Sequence, residues 1–208
     1  MPGSAGAART RRRQRREESR GQILAAADAA LRRLPYRELT VDEVMRGTGF
    51  SRTVFYRHFA DLPDLVLHLM QDVGAPLLEY SERMAAAPGN PAAIRSGLEE
   101  IVGFWAEQGP LVWAVSHAAG HDEEIEALYD GFVERFISLT ADGLRRALDD
   151  GAIQPLDPRS TAEALTAMNE RYLLRSFGRA PFGHRDTAID TLWTIWRRAL
   201  YGPDHPLE

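Results

Sequence analysis

Cysteine and lysine are both absent from this 208-residue chain, and no part of it is continuously apolar over the length of a membrane span. Without cysteine there is no disulfide, zinc ribbon or thiol chemistry. A membrane-spanning helix needs about 20 consecutive apolar residues, and a secretory signal needs an apolar stretch after its basic residues. We therefore expect a soluble, cytoplasmic protein. Hydrophobic residues make up 44% of the chain, which is enough to bury a core.

The positive charge, which arginine alone carries, is concentrated at the N-terminus. Residues 1–60 contain 13 arginines and 6 acidic residues, whereas residues 61–208 contain 12 arginines and 24 acidic residues. The overall net charge of −5 therefore conceals a head of charge +7 and a body of charge −12. A basic head indicates contact with a polyanion that the acidic body would repel.

Residues 1–18 are predicted to form a disordered, arginine-rich arm, because they offer no core-forming side chains. The rest of the sequence predicts an all-α fold of about nine helices. Three short helices within residues 19–60, capped by Ser19, Thr40 and Ser51, would form a helix-turn-helix with a supporting first helix. Gly49 would take the left-handed conformation that the tight turn between two helices requires.

Residues 61–208 are predicted to form a helical body that binds a ligand and dimerises. Asp61, Asn90, Asp122 and Asp157 are expected to begin its main helices, two of them with proline at the first helical position. We expect a kink or break of the fourth helix at Gly74 and Pro76. The pair Gly109-Pro110 is expected to end the fifth helix and start a short separate segment.

The third short helix is the predicted recognition helix. Phe55 and Phe59 are four residues apart and should face the core together with Phe50. Arg52, in the first turn, is placed to bond a guanine edge, and nearby hydroxyls can donate to phosphates. The candidate DNA-binding residues are Thr40, Ser51, Arg52, Thr53, Tyr56, Arg57 and His58.

The segment from Leu39 to Phe59, LTVDEVMRGTGFSRTVFYRHF, resembles the DNA-binding signature of the TetR family of transcriptional repressors. Residues 164–171 (ALTAMNER) and 190–196 (DTLWTIW) resemble a ligand-responsive branch of that family. The resemblance implies a homodimer, paired through its last two helices, that a small apolar or amphiphilic effector releases from double-stranded operator DNA. Val54 and Leu62 replace a usual threonine and lysine that contact phosphate, so more of the DNA affinity would fall to the arginine arm.

Aromatic side chains cluster in the body helices and are candidates for lining an apolar ligand pocket. Thr166, Asn169 and Glu170 are polar residues within an otherwise apolar helix, and a buried amide needs a hydrogen-bond partner. By the family resemblance, Asn169 would hydrogen-bond the ligand, and Ile94 and Ile101 would stand at lining positions. The candidate lining residues are Ile94, Ile101, Phe104, Trp105, Trp113, Phe132, Phe136, Thr166, Asn169, Glu170 and Trp196.

Other classes of protein are less well supported by the sequence. His117 and His121 are four residues apart and precede three acidic residues, but the glutamate of a His-Glu-x-x-His metal motif is missing. We therefore expect no metal, no cofactor and no enzymatic activity. A ligand-independent DNA-binding protein, whose body is filled by its own side chains, and a transcriptional activator remain alternatives.

Overall fold

The computed structural model of the protein describes residues 4–87 and 89–202. Within these residues it has no strand, which confirms the all-α prediction, and none of its helices is long and apolar enough to cross a membrane. Residues 1–3 of the predicted arm and 203–208 of the predicted body lie outside the described residues. The helices are α1 (Ser4–Leu31), α2 (Val41–Arg46), α3 (Arg52–Phe55), α4 (Leu62–Ala86), α5 (Pro91–Ala119), α6 (Glu123–Asp149), α7 (Pro158–Phe177) and α8 (Arg185–Tyr201), with a 3-10 turn at Tyr36–Glu38.

Acidic and amide side chains begin the body helices where the sequence predicts them. The carboxylate of Asp61 accepts a hydrogen bond from the backbone N–H of Asp64 at the start of α4. Asn90, Asp122 and Asp157 cap α5, α6 and α7 in the same way. Each of these side chains satisfies a backbone donor that has no partner within its own helix. These local signals therefore set the ends of the long helices.

The first helix is longer than predicted. α1 continues from Ser4 to Leu31, so the described part of the predicted disordered arm is helical, and Ser19 lies inside the helix rather than at its N-cap. Alanine, arginine, glutamine and glutamate are strong helix formers, and they dominate residues 7–20. Arg13 and Glu17, one turn apart, add an ion pair with 2.8 Å between Nε and Oε1.

The predicted break at Gly109-Pro110 is also absent, because α5 runs through both residues. Leu111 is fully buried and Val112 is 5% exposed, so the apolar face of the helix continues beyond the proline. Burial of these side chains outweighs the loss of one backbone hydrogen bond at Pro110. The described residues consequently contain eight α-helices, where the sequence predicted about nine.

Two hydrophobic cores lie within the molecule, and α4 belongs to both. The head core combines α1, α2 and α3 with the first half of α4 and the end of α5, whereas the body core combines the second half of α4 with α5 to α8. Leu65 and Leu69 pack into the head core, and Leu77 and Met84 pack into the body core. A displacement of α4 would therefore be felt in both cores.

Close packing of α4 against α6 depends on a glycine. A Cβ atom added to Gly74 would lie 2.1 Å from Cζ of Phe132, so the ring of Phe132 occupies space that any other side chain at position 74 would need. α4 is continuous through Gly74 and Pro76, so the break that we considered there does not occur. Gly74 instead allows the two helices to approach.

Replacing Gly74 with alanine should destabilise the protein. Overpacking of this kind typically costs about 1–3 kcal/mol in the free energy of unfolding. Urea denaturation followed by far-UV circular dichroism would measure the change, and Phe132→Leu in the same chain should restore part of the loss. Gly131→Ala is the matched control, because a Cβ at that helical glycine meets nothing within 4 Å. Equal stability of the Gly74→Ala and Gly131→Ala variants would contradict the packing described above.

Candidate DNA-binding surface and ligand cavity

The helix-turn-helix is formed by α2, the turn at residues 47–51 and α3. Thr40 caps α2, since its hydroxyl oxygen accepts from the N–H of Glu43 at 3.1 Å, and Gly49 has the predicted positive φ of 72°. Ser51 stands at the N-cap of α3 without a side-chain cap hydrogen bond. α3 ends at Phe55 and continues as a turn, so it is shorter than the predicted helix to Phe59.

Phe55 and Phe59 hold residues 51–59, which we call the recognition segment, against the head core. They are 0% and 2% exposed, with 5.5 Å between their ring centroids, and Phe50 packs beside them partly buried. This arrangement confirms the predicted inward face. Six of the seven predicted DNA-binding residues are open to solvent, namely Thr40, Ser51, Arg52, Thr53, Tyr56 and Arg57.

Arg52 is held loosely on the protein surface. Its guanidinium lies 3.4 Å from Oδ2 of Asp42, and both side chains are more than half exposed. The hydroxyl of Tyr56 and then the charge of Asp42 raise the pKa of Arg52 above its usual range, so it stays cationic. Exposed ion pairs of this kind contribute little stability. Arg52 is therefore free to exchange Asp42 for another acceptor.

His58 is placed differently from the other predicted DNA-binding residues. Its Nε2 lies 2.8 Å from Oγ of Ser19 on α1, and the ring is partly buried between the two helices. Burial, together with the positive charges of Arg16, Arg20 and Arg57, lowers the pKa of His58. The histidine thus joins the recognition segment to α1 in its neutral form.

An arginine-rich cleft separates the N-terminal part of α1 from the recognition segment. One wall comes from successive turns of α1 and the other from Val54, Arg57 and His58. No acidic side chain lines it within the described residues, so its potential is strongly positive. The residues on the α1 side are Arg9, Arg12, Arg13, Arg15, Arg16 and Ser19. We call this feature the arginine cleft.

A largely apolar cavity lies in the body, between α4, α5, α6, α7 and α8. Together with its open mouth it contains about 720 Å³ that protein atoms do not occupy. Nine of the eleven predicted lining residues contribute to its wall, namely Ile101, Phe104, Trp105, Phe132, Phe136, Thr166, Asn169, Glu170 and Trp196.

Trp113 and Ile94 do not line this cavity. Trp113 stacks on His117 with 3.9 Å between ring centroids, and the guanidinium of Arg179 lies 4.6 Å from the centre of its ring. Ile94 lines a smaller neighbouring space whose wall also includes Thr140. Both residues lie on α5, and the apolar periodicity of that helix could not distinguish which of its faces borders the cavity.

Several polar groups of the cavity are hydrogen-bonded within its wall. Trp196 Nε1–H donates to Oδ1 of Asn169 at 3.1 Å, and the hydroxyl of Tyr129 donates to Oε1 of Glu170 at 2.7 Å. The hydroxyl of Ser81 donates to the backbone carbonyl of Leu77. These bonds fix the orientation of the amide and the carboxylate that face the cavity.

Sequence reasoning missed eight lining residues. Three of them lie on α6, where residues 129, 132, 133, 136 and 140 follow the helical period along one face. This stripe could have been found from the two phenylalanines already selected on it. The missed residues are Met70, Leu77, Ser81, Met84, Val112, Tyr129, Val133 and Thr140.

Comparisons with known proteins agree with this geometry. The family model for the C-terminal domain of the transcriptional regulator EthR matches residues 94–202, which contain most of the cavity wall. EthR of Mycobacterium tuberculosis is 29% identical over 188 residues, covering 86% of each chain. The chain therefore belongs to the EthR family of TetR-type transcriptional regulators, DNA-binding proteins with a helix-turn-helix.

Solved structures share the fold at lower sequence identity. A TetR-family transcriptional regulator of Syntrophomonas wolfei superposes with a TM-score of 0.76 at 14% identity, over 88% of this chain and 94% of that one. SmeT, the repressor of the multidrug efflux pump SmeDEF of Stenotrophomonas maltophilia, gives a TM-score of 0.71 at 18% identity, over 91% of this chain and 97% of its own. These likenesses show a common arrangement of helices.

The neutral His58 predicts a pH dependence of stability. Because the pKa of His58 is lowered in the folded protein, neutral His58 adds its full contribution to the free energy of unfolding above the unfolded pKa of about 6.5. This contribution declines as the pH falls from there toward the folded pKa. Urea denaturation at pH 8 and at pH 5.5 would compare the wild type with His58→Gln, which cannot be protonated. The wild type should lose more stability than the variant on acidification. An equal loss in both would show that His58 is not the group responsible.

Proposed function

We propose that the protein is a homodimeric repressor that binds operator DNA through its head and is released by a small apolar or amphiphilic ligand in the body cavity. The observation that carries this proposal is the solvent-exposed row of Arg52, Tyr56 and Arg57, which adjoins the arginine cleft on the same side of the head. Basic and hydroxyl side chains are the groups that bind bases and phosphates.

The head has separate groups for reading bases and for holding the DNA backbone. Arg52, at the first position of α3, would enter the major groove and form two hydrogen bonds with a guanine. Thr40 already accepts a bond through its hydroxyl oxygen, which leaves its O–H to donate to a phosphate. The arginine cleft would take further phosphates and release their counterions.

Dimerisation through α7 and α8 is supported by how their apolar residues are distributed. Leu173 and Leu192 are 0% and 1% exposed and belong to the body core, whereas Ile195 is 39% exposed and Met168 only partly buried. The exposed part of this face would meet its symmetry mate. Such a dimer places two recognition segments about one helical turn of DNA, ~34 Å, apart.

Release by a ligand would act through α4. Met70 lines the cavity and also packs into the head core, and Phe132, another lining residue, rests on Gly74 of the same helix. A ligand that moves Phe132 therefore bears on the helix that carries the head. Release requires that the ligand bind the DNA-free arrangement more tightly, typically by about 1–3 kcal/mol. An apolar cavity with a few polar groups in its wall favours ligand control over a body filled by its own side chains.

Replacing Arg52 with alanine should weaken specific DNA binding. Loss of a bidentate contact to guanine costs roughly 1–3 kcal/mol and relaxes specificity at that base pair. Fluorescence anisotropy with labelled DNA from upstream of the protein's own gene, at two salt concentrations, would measure affinity and salt dependence. The matched control is Arg145→Ala, which removes an equally exposed arginine of the body. Binding that ignores both DNA sequence and Arg52 would leave only non-specific attraction and would refute the proposal.

The arginine cleft can be tested without removing an arginine. Glu18→Pro should interrupt α1 between its N-terminal arginines and the rest of the head, since proline is tolerated in the first turn of a helix but not in its interior. The variant keeps every arginine yet no longer holds the N-terminal ones opposite α3, so we expect weaker DNA binding and a shallower salt dependence. Glu18→Ala removes the same carboxylate and preserves the helix. Equal binding by the two variants would indicate that residues 9–16 act as a flexible arm instead.

A further inference from the structure

The charged side chains that line the cavity are of one sign only. Glu170 on α7 is its one carboxylate, and no arginine or histidine is among the described residues that line it. Most of the remaining wall is hydrocarbon or aromatic ring. A carboxylate facing such a wall loses part of its hydration, and that loss has to be compensated by hydrogen bonds or by a positive charge.

The protein supplies Glu170 with a neutral donor from the wall. The Tyr129 hydroxyl lies 2.7 Å from Oε1. Burial and the charge of Glu170 raise the pKa of Tyr129 above its usual range, so the phenol keeps its proton and acts as the donor. A neutral hydroxyl stabilises an anion less than a cation does in the same position. Among the described residues Glu170 has this one hydrogen bond, so a ligand donor would have Oε2 as its acceptor.

We propose that the ligand of this cavity is a lipophilic amine whose ammonium group binds Glu170 while its hydrocarbon chain lies along the apolar wall. This inference rests on the proposed role of the cavity as a ligand site and adds the chemical class of its ligand. An ammonium group donates charge-assisted hydrogen bonds and neutralises the carboxylate. Phe132 and Phe136, with 5.0 Å between their ring centroids, add aromatic surface to the same cavity.

The same wall disfavours amphiphiles of the opposite charge. A fatty carboxylate would bring a second negative charge into a space that no basic side chain of the described residues lines, where the repulsion is less screened than in water. A fatty alcohol could hydrogen-bond Glu170 or Asn169 but would leave the charge of Glu170 in place. Ligands of equal chain length should therefore bind in the order amine, alcohol, carboxylate.

The test uses decylamine, decan-1-ol and decanoate with the whole protein, each at concentrations below micelle formation. Isothermal titration calorimetry in the absence of DNA would give the affinities. For the wild type we expect decylamine to bind roughly tenfold more tightly than decan-1-ol, the difference between a charged and a neutral hydrogen bond. In Glu170→Gln this ratio should fall to about one. Glutamine retains an oxygen that can accept from Tyr129, so the wall is kept.

The acidic body could also attract a cation without a defined site, and Glu126→Gln controls for this. Glu126 is an exposed residue of α6 that does not line the cavity, so the amine preference should persist in that variant. Equal wild-type affinity for decylamine and decan-1-ol, a preference that survives Glu170→Gln, or no binding of any of the three would each overturn the proposal. Decylamine that binds through Glu170 but does not release DNA would refute ligand release and leave the amine site intact.

Discussion

The approach of α4 and α6 at Gly74 is the contact on which the rest of the molecule depends. The Phe132 ring lies where a side chain at position 74 would otherwise be, so a displacement of α4 bears directly on a residue of the cavity wall. Because close-packed interfaces have few alternative arrangements, such a contact transmits a shift rather than absorbing it. The first half of α4 packs into the head core, which gives that shift a direct route to the recognition segment.

The division of charge along the chain has a structural counterpart. The arginines of α1 stand opposite the recognition segment, whereas the body carries the excess of acidic residues. As the protein approaches DNA, the phosphates would attract the head and repel the acidic body, so electrostatics would orient the molecule before contact. Holding positive charges together on one helix raises the free energy of the unbound head, and neutral His58 keeps one further charge out of that cluster. DNA phosphates would relieve this repulsion.

Local sequence signals predicted where most helices begin, but not whether tertiary packing would override a helix breaker. Asn90 and Asp122 act within their own first turn, so their effect can be seen in a few residues of sequence. Pro110 did not end the helix because Leu111 beyond it is buried in the head core, most of whose residues are distant from it in sequence. Asn169 and Trp196 line the cavity whereas Trp113 does not, because helical periodicity groups residues by face and does not say which neighbour a face meets. The family resemblance pointed to Asn169 and Ile101, which line the cavity, but also to Ile94, which lines the smaller neighbouring space.

The polar residues of α7 illustrate why the cavity requires its own internal hydrogen bonds. Trp196 holds the oxygen of Asn169, which leaves the amide N–H₂ as the part of that side chain able to donate to a ligand. Tyr129 holds one oxygen of Glu170, its neighbour in sequence, and leaves the other as an acceptor. A donor and a charged acceptor of fixed orientation thus stand side by side in an apolar wall. In the proposed ligand site, two such groups would set the direction in which a ligand lies, whereas the hydrocarbon wall would set only how much of it is buried. The selectivity for a ligand would consequently depend on the polar residues of α7 and on Trp196 and Tyr129, which bind them. The affinity would depend on the rest of the cavity.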